Sequence, residues 1–154
     1  MSVAFRRESD DEHLEPRFEL PIPPGPNLVT PRGRVLIEER VTALEAALAA
    51  ADGEEAAKPI ARDLRYWKTR RATAIETAPR DDDVVGFGSL VRFRMAGRER
   101  TVTLVGDDEA DPGAGYLAFS APLARALMGG EAGETVEFNG REDAIEILAV
   151  GKAT

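Results

Sequence analysis

The chain has 154 residues, 43% of them hydrophobic, no cysteine, one histidine, and 28 acidic against 20 basic side chains for a net charge of -8. That is enough apolar material for a small globular domain with an appendage, and it excludes disulfides and thiolate metal sites. The acidic balance argues against a general duplex-DNA binder, which needs a basic face to neutralise phosphates, but leaves room for a locally basic surface.

Residues 1–29 open with charged side chains around His13 and close on PIPPGPN, with five prolines between Pro16 and Pro26. Proline lacks a backbone N–H and has a fixed φ, so a flexible or polyproline-like tail is expected here, with Phe5, Phe18 and Ile22 as its apolar side chains. The first residues have no apolar centre of a secretion signal, and no apolar run approaches the ~18 residues of a membrane span. The expectation is a cytoplasmic protein of bacterial type, without membrane attachment.

Thr30-Pro31 reads as a helix start: a hydroxyl to cap free N–H groups, then a proline suited to the first helical position. Ile37, Val41, Leu44, Leu48 and Ala51 follow at spacings of four and three, a heptad seam that ends at Asp52-Gly53. A second seam, Ile60, Leu64, Trp67, Arg71 and Ala74, predicts a helix from about Pro59 to Thr77. Two such helices joined by a short turn make an antiparallel hairpin over residues 30–79, with arms of ~20 residues and roughly 30 Å. Pro79 and the Asp81–Asp83 run close it.

Beyond residue 80 the period changes from helix to strand. Alternation in 89–94, a β-branched 101–105, and apolar runs at 116–120, 134–138 and 144–150 predict about five strands, with Gly97 turning the first pair. PLARALM, residues 122–128, predicts one short helix that Pro122 begins and Gly129-Gly130 ends. The fold class is therefore α+β: a helical hairpin, then a small antiparallel β domain with one short helix.

VGFGSLVRFR at 85–94 and VGDDEADPGAGYLAFSAPLARALMGGEAGETVEF at 105–138 resemble the C-terminal domain of the Gre transcript-cleavage factors. In that family an N-terminal helical hairpin precedes an FKBP-like domain, and TPRG at 30–33 is similar to the start of its hairpin. The resemblance implies binding to bacterial RNA polymerase. The globular domain would sit at the rim of the secondary channel, and the hairpin would meet the nascent RNA and DNA only indirectly. The factor itself is then no enzyme, since cleavage of backtracked RNA takes place in the polymerase.

Family members carry acidic residues at the hairpin tip that help to hold a magnesium ion in the polymerase active centre. Magnesium prefers hard oxygen ligands, so carboxylates suit that role. In this chain Asp52 and Glu55 keep the Asp-x-x-Glu spacing, with Glu54 between them. The Asn-Ala-x-Tyr continuation is missing, and each arm is roughly two to three turns short of the family's. These acids either lend a carboxylate to a shared magnesium or simply complement the dipole of the second helix, and the missing motif favours the latter. No cofactor of the chain's own is expected.

Ser120, Ala121 and Pro122 align with the family's polymerase-contacting loop, in which a serine precedes the proline. Here Ala121 takes the serine's place. Arg125, on the following helix, is a candidate anchor or a structural ion-pair partner. Arg62, Arg65, Lys68, Arg70 and Arg71 form a basic ridge suited to nucleic acid or an acidic polymerase surface, or to pairing with Glu38, Glu39 and Glu45 on the facing arm. Tyr66 and Trp67 read as structural. Asp107, Asp108, Glu109 and Asp111 lack the spacing of a calcium loop and read as a solvated acidic turn.

Two other functions compete. An FKBP-like fold suggests a peptidyl-prolyl isomerase, but aromatic residues make up only 6% of the chain, against the aromatic-lined pocket that activity needs. A coiled-coil module pairing two copies is the other, against which the short seam and the acidic charge favour a monomer.

Overall fold

A computed structural model describes residues 19–152, so Phe5, His13 and Phe18 lie outside the described residues. The chain divides into two units. One holds Ile37–Thr73 and the described residues up to Gly25; the other holds Pro26–Leu36 and the chain from Ala74 onward.

The first unit is built on helices α1 (Pro31–Ala50), which begins in the other unit, and α2 (Glu54–Thr73). Ile37, Val41 and Leu64 are buried, while Leu44, Leu48, Ile60 and Trp67 are half-buried along the expected seams. Ion pairs Arg71–Glu38 at 3.7 Å and Lys68–Glu45 at 3.8 Å join the helices in antiparallel order. Arg40 lies over the Trp67 ring at 5.2 Å, and Tyr66 meets Trp67 edge-on.

The second helix starts five residues before the predicted Pro59 and ends four before Thr77. Ala57 N–H bonds the Gly53 carbonyl at 3.1 Å, so the first turn closes ahead of the proline. Pro59 deprives only the Glu55 carbonyl of its i+4 donor, and Glu55 is exposed to water. At the other end, Ile75–Glu76 leaves the helix as a strand.

In the second unit the two-residue strands β1 (Leu28–Val29) and β2 (Ile75–Glu76) pair in parallel. Asn27, Val29 and Thr30 are buried, and residues from Pro26 on belong to the globular unit. The prolines stop just short of Leu28, and backbone bonds from Ile75 N–H to Asn27 O and from Thr77 N–H to Val29 O, both 2.8 Å, hold the strand.

The main sheet runs β5-β4-β3-β7-β6, from β3 (Ser89–Met95), β4 (Arg98–Val105), β5 (Tyr116–Ala118), β6 (Thr135–Phe138) and β7 (Arg141–Lys152). Four strands are antiparallel as expected. The fifth, β5, pairs with β4 in parallel, which makes the sheet mixed. Two 3-10 turns, Asp107–Glu109 and Pro112–Ala114, carry the chain back between them and permit this direction.

Val91, Phe93, Val102, Leu104, Ile145 and Ile147 form the apolar face of the sheet. Leu123, Ala124 and Leu127 of helix α3 (Pro122–Leu127) cover it. A register shift between Arg92 and Phe93 places Val150 opposite Val91 and Ile147 opposite Phe93. Without that bulge, Val150 and Ile147 would face opposite sides of the strand; with it, both serve the core.

Candidate functional site

Three groups of residues are candidates for function, and each is described within its own unit. The tip of the hairpin is the turn Ala51–Gly53 between α1 and α2. Gly53 adopts φ 95, the left-handed region that favours glycine, and lets the chain reverse. Asp52, Glu54 and Glu55 are all exposed there, with Glu54 and Glu55 in the first turn of α2, where acids complement the helix dipole. Among the described residues no group of three His, Cys, Asp or Glu side chains is placed to hold a metal. Asp52 and Glu55 would therefore need ligands from another molecule to bind magnesium.

The basic ridge of α2 does not present five free cations. Arg65 makes a two-pronged bond to Glu19, at 2.8 and 2.5 Å, and this bond holds the Glu19 carboxyl below its ordinary range. Lys68 and Arg71 face Glu45 and Glu38, and Arg62 leans on its neighbour Asp63 at 3.3 Å. Arg70 is 1% exposed, a buried guanidinium that the heptad pattern had put on the ridge, with Arg71 in the seam. Most of the ridge charge is thus matched locally.

The loop before α3 is different. Ser120 and Pro122 are exposed and Ala121 is half-buried, with its backbone extended at the helix N-cap. Pro122 occupies the first helical position as expected. The Ser120 hydroxyl donates to Asp107, so the loop is tied to the turn after β4. Arg125 is exposed in the last turn of α3, with no ion pair among the described residues. The apolar side of α3 is buried, which leaves Ser120, Pro122 and Arg125 on an outward surface held by a rigid base.

Sequence reasoning missed a fourth group. Glu109, taken for part of a solvated acidic turn, is 2% exposed. Thr30 N–H and Gly106 N–H donate to its Oε2 at 2.9 and 3.1 Å, and the Thr30 hydroxyl donates to its Oε1 at 2.5 Å. The same hydroxyl accepts from Gly33 N–H at 3.0 Å, the cap that Thr30 promised. Arg32 adds a guanidinium 3.6 Å from Oε1 and lies over the Tyr116 ring at 4.2 Å. The signal that could have revealed Glu109 is the pair of glycines around it. A Cβ on Gly33 would lie 2.3 Å from Glu109 Cδ, and one on Gly106 would lie 2.4 Å from the Leu28 carbonyl oxygen. Beside this cluster a cleft of about 440 Å³ is lined by Thr30, Arg32, Leu90, Val105 and Tyr116 among others.

Comparison with known proteins agrees with the globular unit. Residues 80–152 match the family model "Transcription elongation factor, GreA/GreB, C-term". The transcription elongation factor GreA of Rhizobium etli (strain CIAT 652) is 41% identical over 86 residues, which cover 53% of this chain and 54% of that protein. GreA of Agrobacterium fabrum is 40% identical over the same length and shares. The chain thus spans about half the length of the curated relatives it matches. Among solved structures, the elongation factor GreA/GreB of Nitrosomonas europaea aligns at 22% identity with a TM-score of 0.39, over 83% of this chain and 99% of that one.

Proposed function

We propose that the chain is a member of the GreA/GreB family of transcription elongation factors, whose C-terminal model residues 80–152 match, and that it binds bacterial RNA polymerase at the rim of the secondary channel and modulates elongation there. The observation that carries this reading is the near-continuous match of the globular domain. The loop expected to make contact stands exposed on a buried helix, and Ser120 is fixed by Asp107. Ala121 offers no hydroxyl to the partner, so Ser120, Pro122 and Arg125 supply the polar and shape contacts. The protein acts as an accessory factor and a monomer. The relatives and the family carry transcription-factor names, and nothing among them supports the isomerase alternative.

Within this reading the hairpin acts by occupying the channel rather than by catalysis of its own. Exposed Asp52 and Glu55 make no metal site by themselves, and a shared magnesium would depend on carboxylates of the polymerase. A pull-down with core polymerase, followed by displacement with a full-length GreA, tests the binding. Absence of binding sinks the proposal. A cleavage assay on a backtracked complex separates the two modes: Asp52→Ala and Glu55→Ala leave the outcome unchanged if the hairpin only fills the channel, and a loss in either assigns the tip to the metal.

A further inference from the structure

Glu109 carries no role in the binding surface, yet it is buried with both carboxylate oxygens engaged. Its two oxygens receive two backbone N–H groups and one hydroxyl, with a guanidinium nearby. All of these partners except Gly106 belong to the first turn of α1 or to the residue before it. The parallel pair β1–β2 lies next to the same cluster: Leu28 precedes α1, Ile75 follows α2, and the Leu28 carbonyl presses on Gly106. Arg34 of α1 pairs with Glu76 of β2 at 3.6 Å. Both chain segments that lead to the hairpin are therefore fastened at one place in the globular unit, and Glu109 lies at the start of the helix.

We propose that Glu109 is a positioning residue: it fixes Thr30 and the first turn of α1 within the globular unit, and the effect of the factor on elongation depends on that fixed start. This rests on the polymerase-binding reading above. A helix N-terminus leaves backbone N–H groups without partners, and a carboxylate is the strongest acceptor for them. Thr30 alone satisfies Gly33 N–H. Glu109 holds Thr30 in turn, through both its N–H and its hydroxyl, and so determines where the helix begins. Gly33 and Gly106 keep the space that lets the carboxylate approach. Only small motions are open to a side chain with all its oxygens occupied and no exposure, so the start of α1 is fixed rather than hinged.

Three substitutions perturb this lock in different ways. Glu109→Ala removes every acceptor. Thr30→Val keeps the shape but loses the hydroxyl. Glu109→Gln keeps one carbonyl for the two N–H donors and gives up the charge facing Arg32. The whole chain of 154 residues is used throughout, with hydrogen exchange, binding to core polymerase, and elongation at saturating factor as readouts. Expected are amide exchange at Gly33 and Thr30 faster by about ten- to hundredfold in Glu109→Ala, with β3, β4 and β7 still protected. Polymerase affinity should stay within about threefold of wild type while the effect on elongation at saturation falls about tenfold or more, with Glu109→Gln in between. Full effect at saturation in Glu109→Ala, or unchanged exchange at Gly33, overturns the proposal. So does a loss of binding in step with loss of sheet protection, which would make Glu109 a stability residue only. A wild type that fails to bind removes the polymerase reading and the functional half of this one together. The exchange measurement still decides whether the lock itself exists.

Discussion

A methyl group at Gly33 has nowhere to go. It would stand 2.3 Å from Glu109 Cδ, in a cluster whose oxygens already hold three donors. Gly33→Ala should cost about 1–3 kcal/mol in urea denaturation, because the carboxylate must leave its donors or the helix must shift. Gly113→Ala serves as the comparison, since its added carbon meets nothing closer than Asp111 Oδ1 at 3.7 Å. Its stability should remain within about 0.5 kcal/mol of wild type. Equal loss at both positions would contradict the steric account. Thr30 as a cap was legible because the signal is local, a hydroxyl directly before a proline. Glu109 was not, because its partner lies 79 positions away and its neighbours Asp107, Asp108 and Asp111 read as a water-facing turn. Arg70 failed for a similar reason: the seam spacing put Arg71 inward, and burial of a guanidinium depends on contacts that sequence periodicity does not contain.

At the scale of elements, helix α3 holds its place through three small contacts on the sheet. Leu127 is fully buried, so Leu127→Ala should cost about 2–5 kcal/mol by loss of transfer energy and cavity formation. Arg125→Ala, two residues away on the exposed side of the helix, should leave thermal stability unchanged while weakening polymerase binding. The hairpin of β3 and β4 gives a pH prediction. Hydrogen bonds from Arg94 and then Arg92 hold the Glu99 carboxyl below its ordinary value. A lowered pKa means that the ionised pair favours the folded state above the unfolded value, and that this help fades as pH falls through the folded one. The stability difference between wild type and Glu99→Gln should thus be present at neutral pH and shrink as the pH falls below the ordinary carboxylate range. A difference that persists in acid would assign it to packing instead. The strands and α3 were legible from alternation and turn residues. The parallel direction of β5 was not, because it depends on two 3-10 turns packed into an acidic connection. The start of α2 was misplaced because proline was read as a boundary, although one lost bond at an exposed first turn is tolerable.

At the scale of the whole molecule, the match to the GreA/GreB family model lies in residues 80–152, outside the hairpin. No described helix is long and apolar enough to cross a membrane. The tip presents carboxylates without a metal site of its own, and the ridge of α2 has most of its cations paired with nearby acids. On the proposed reading, specific recognition falls on Ser120, Pro122 and Arg125, and the hairpin has a steric role. Raising the salt concentration should weaken polymerase binding only modestly, because the cations of the α2 ridge already face acids of this chain and salt has little further attraction to screen. The most direct measurement is competition: labelled full-length GreA bound to core polymerase, titrated with this protein and with its Pro122→Ala, Arg125→Ala double variant. The account predicts that the wild-type protein displaces GreA to completion and that the double variant needs about tenfold more or greater to do so. Simultaneous binding of both factors, or no displacement at any concentration, would contradict it.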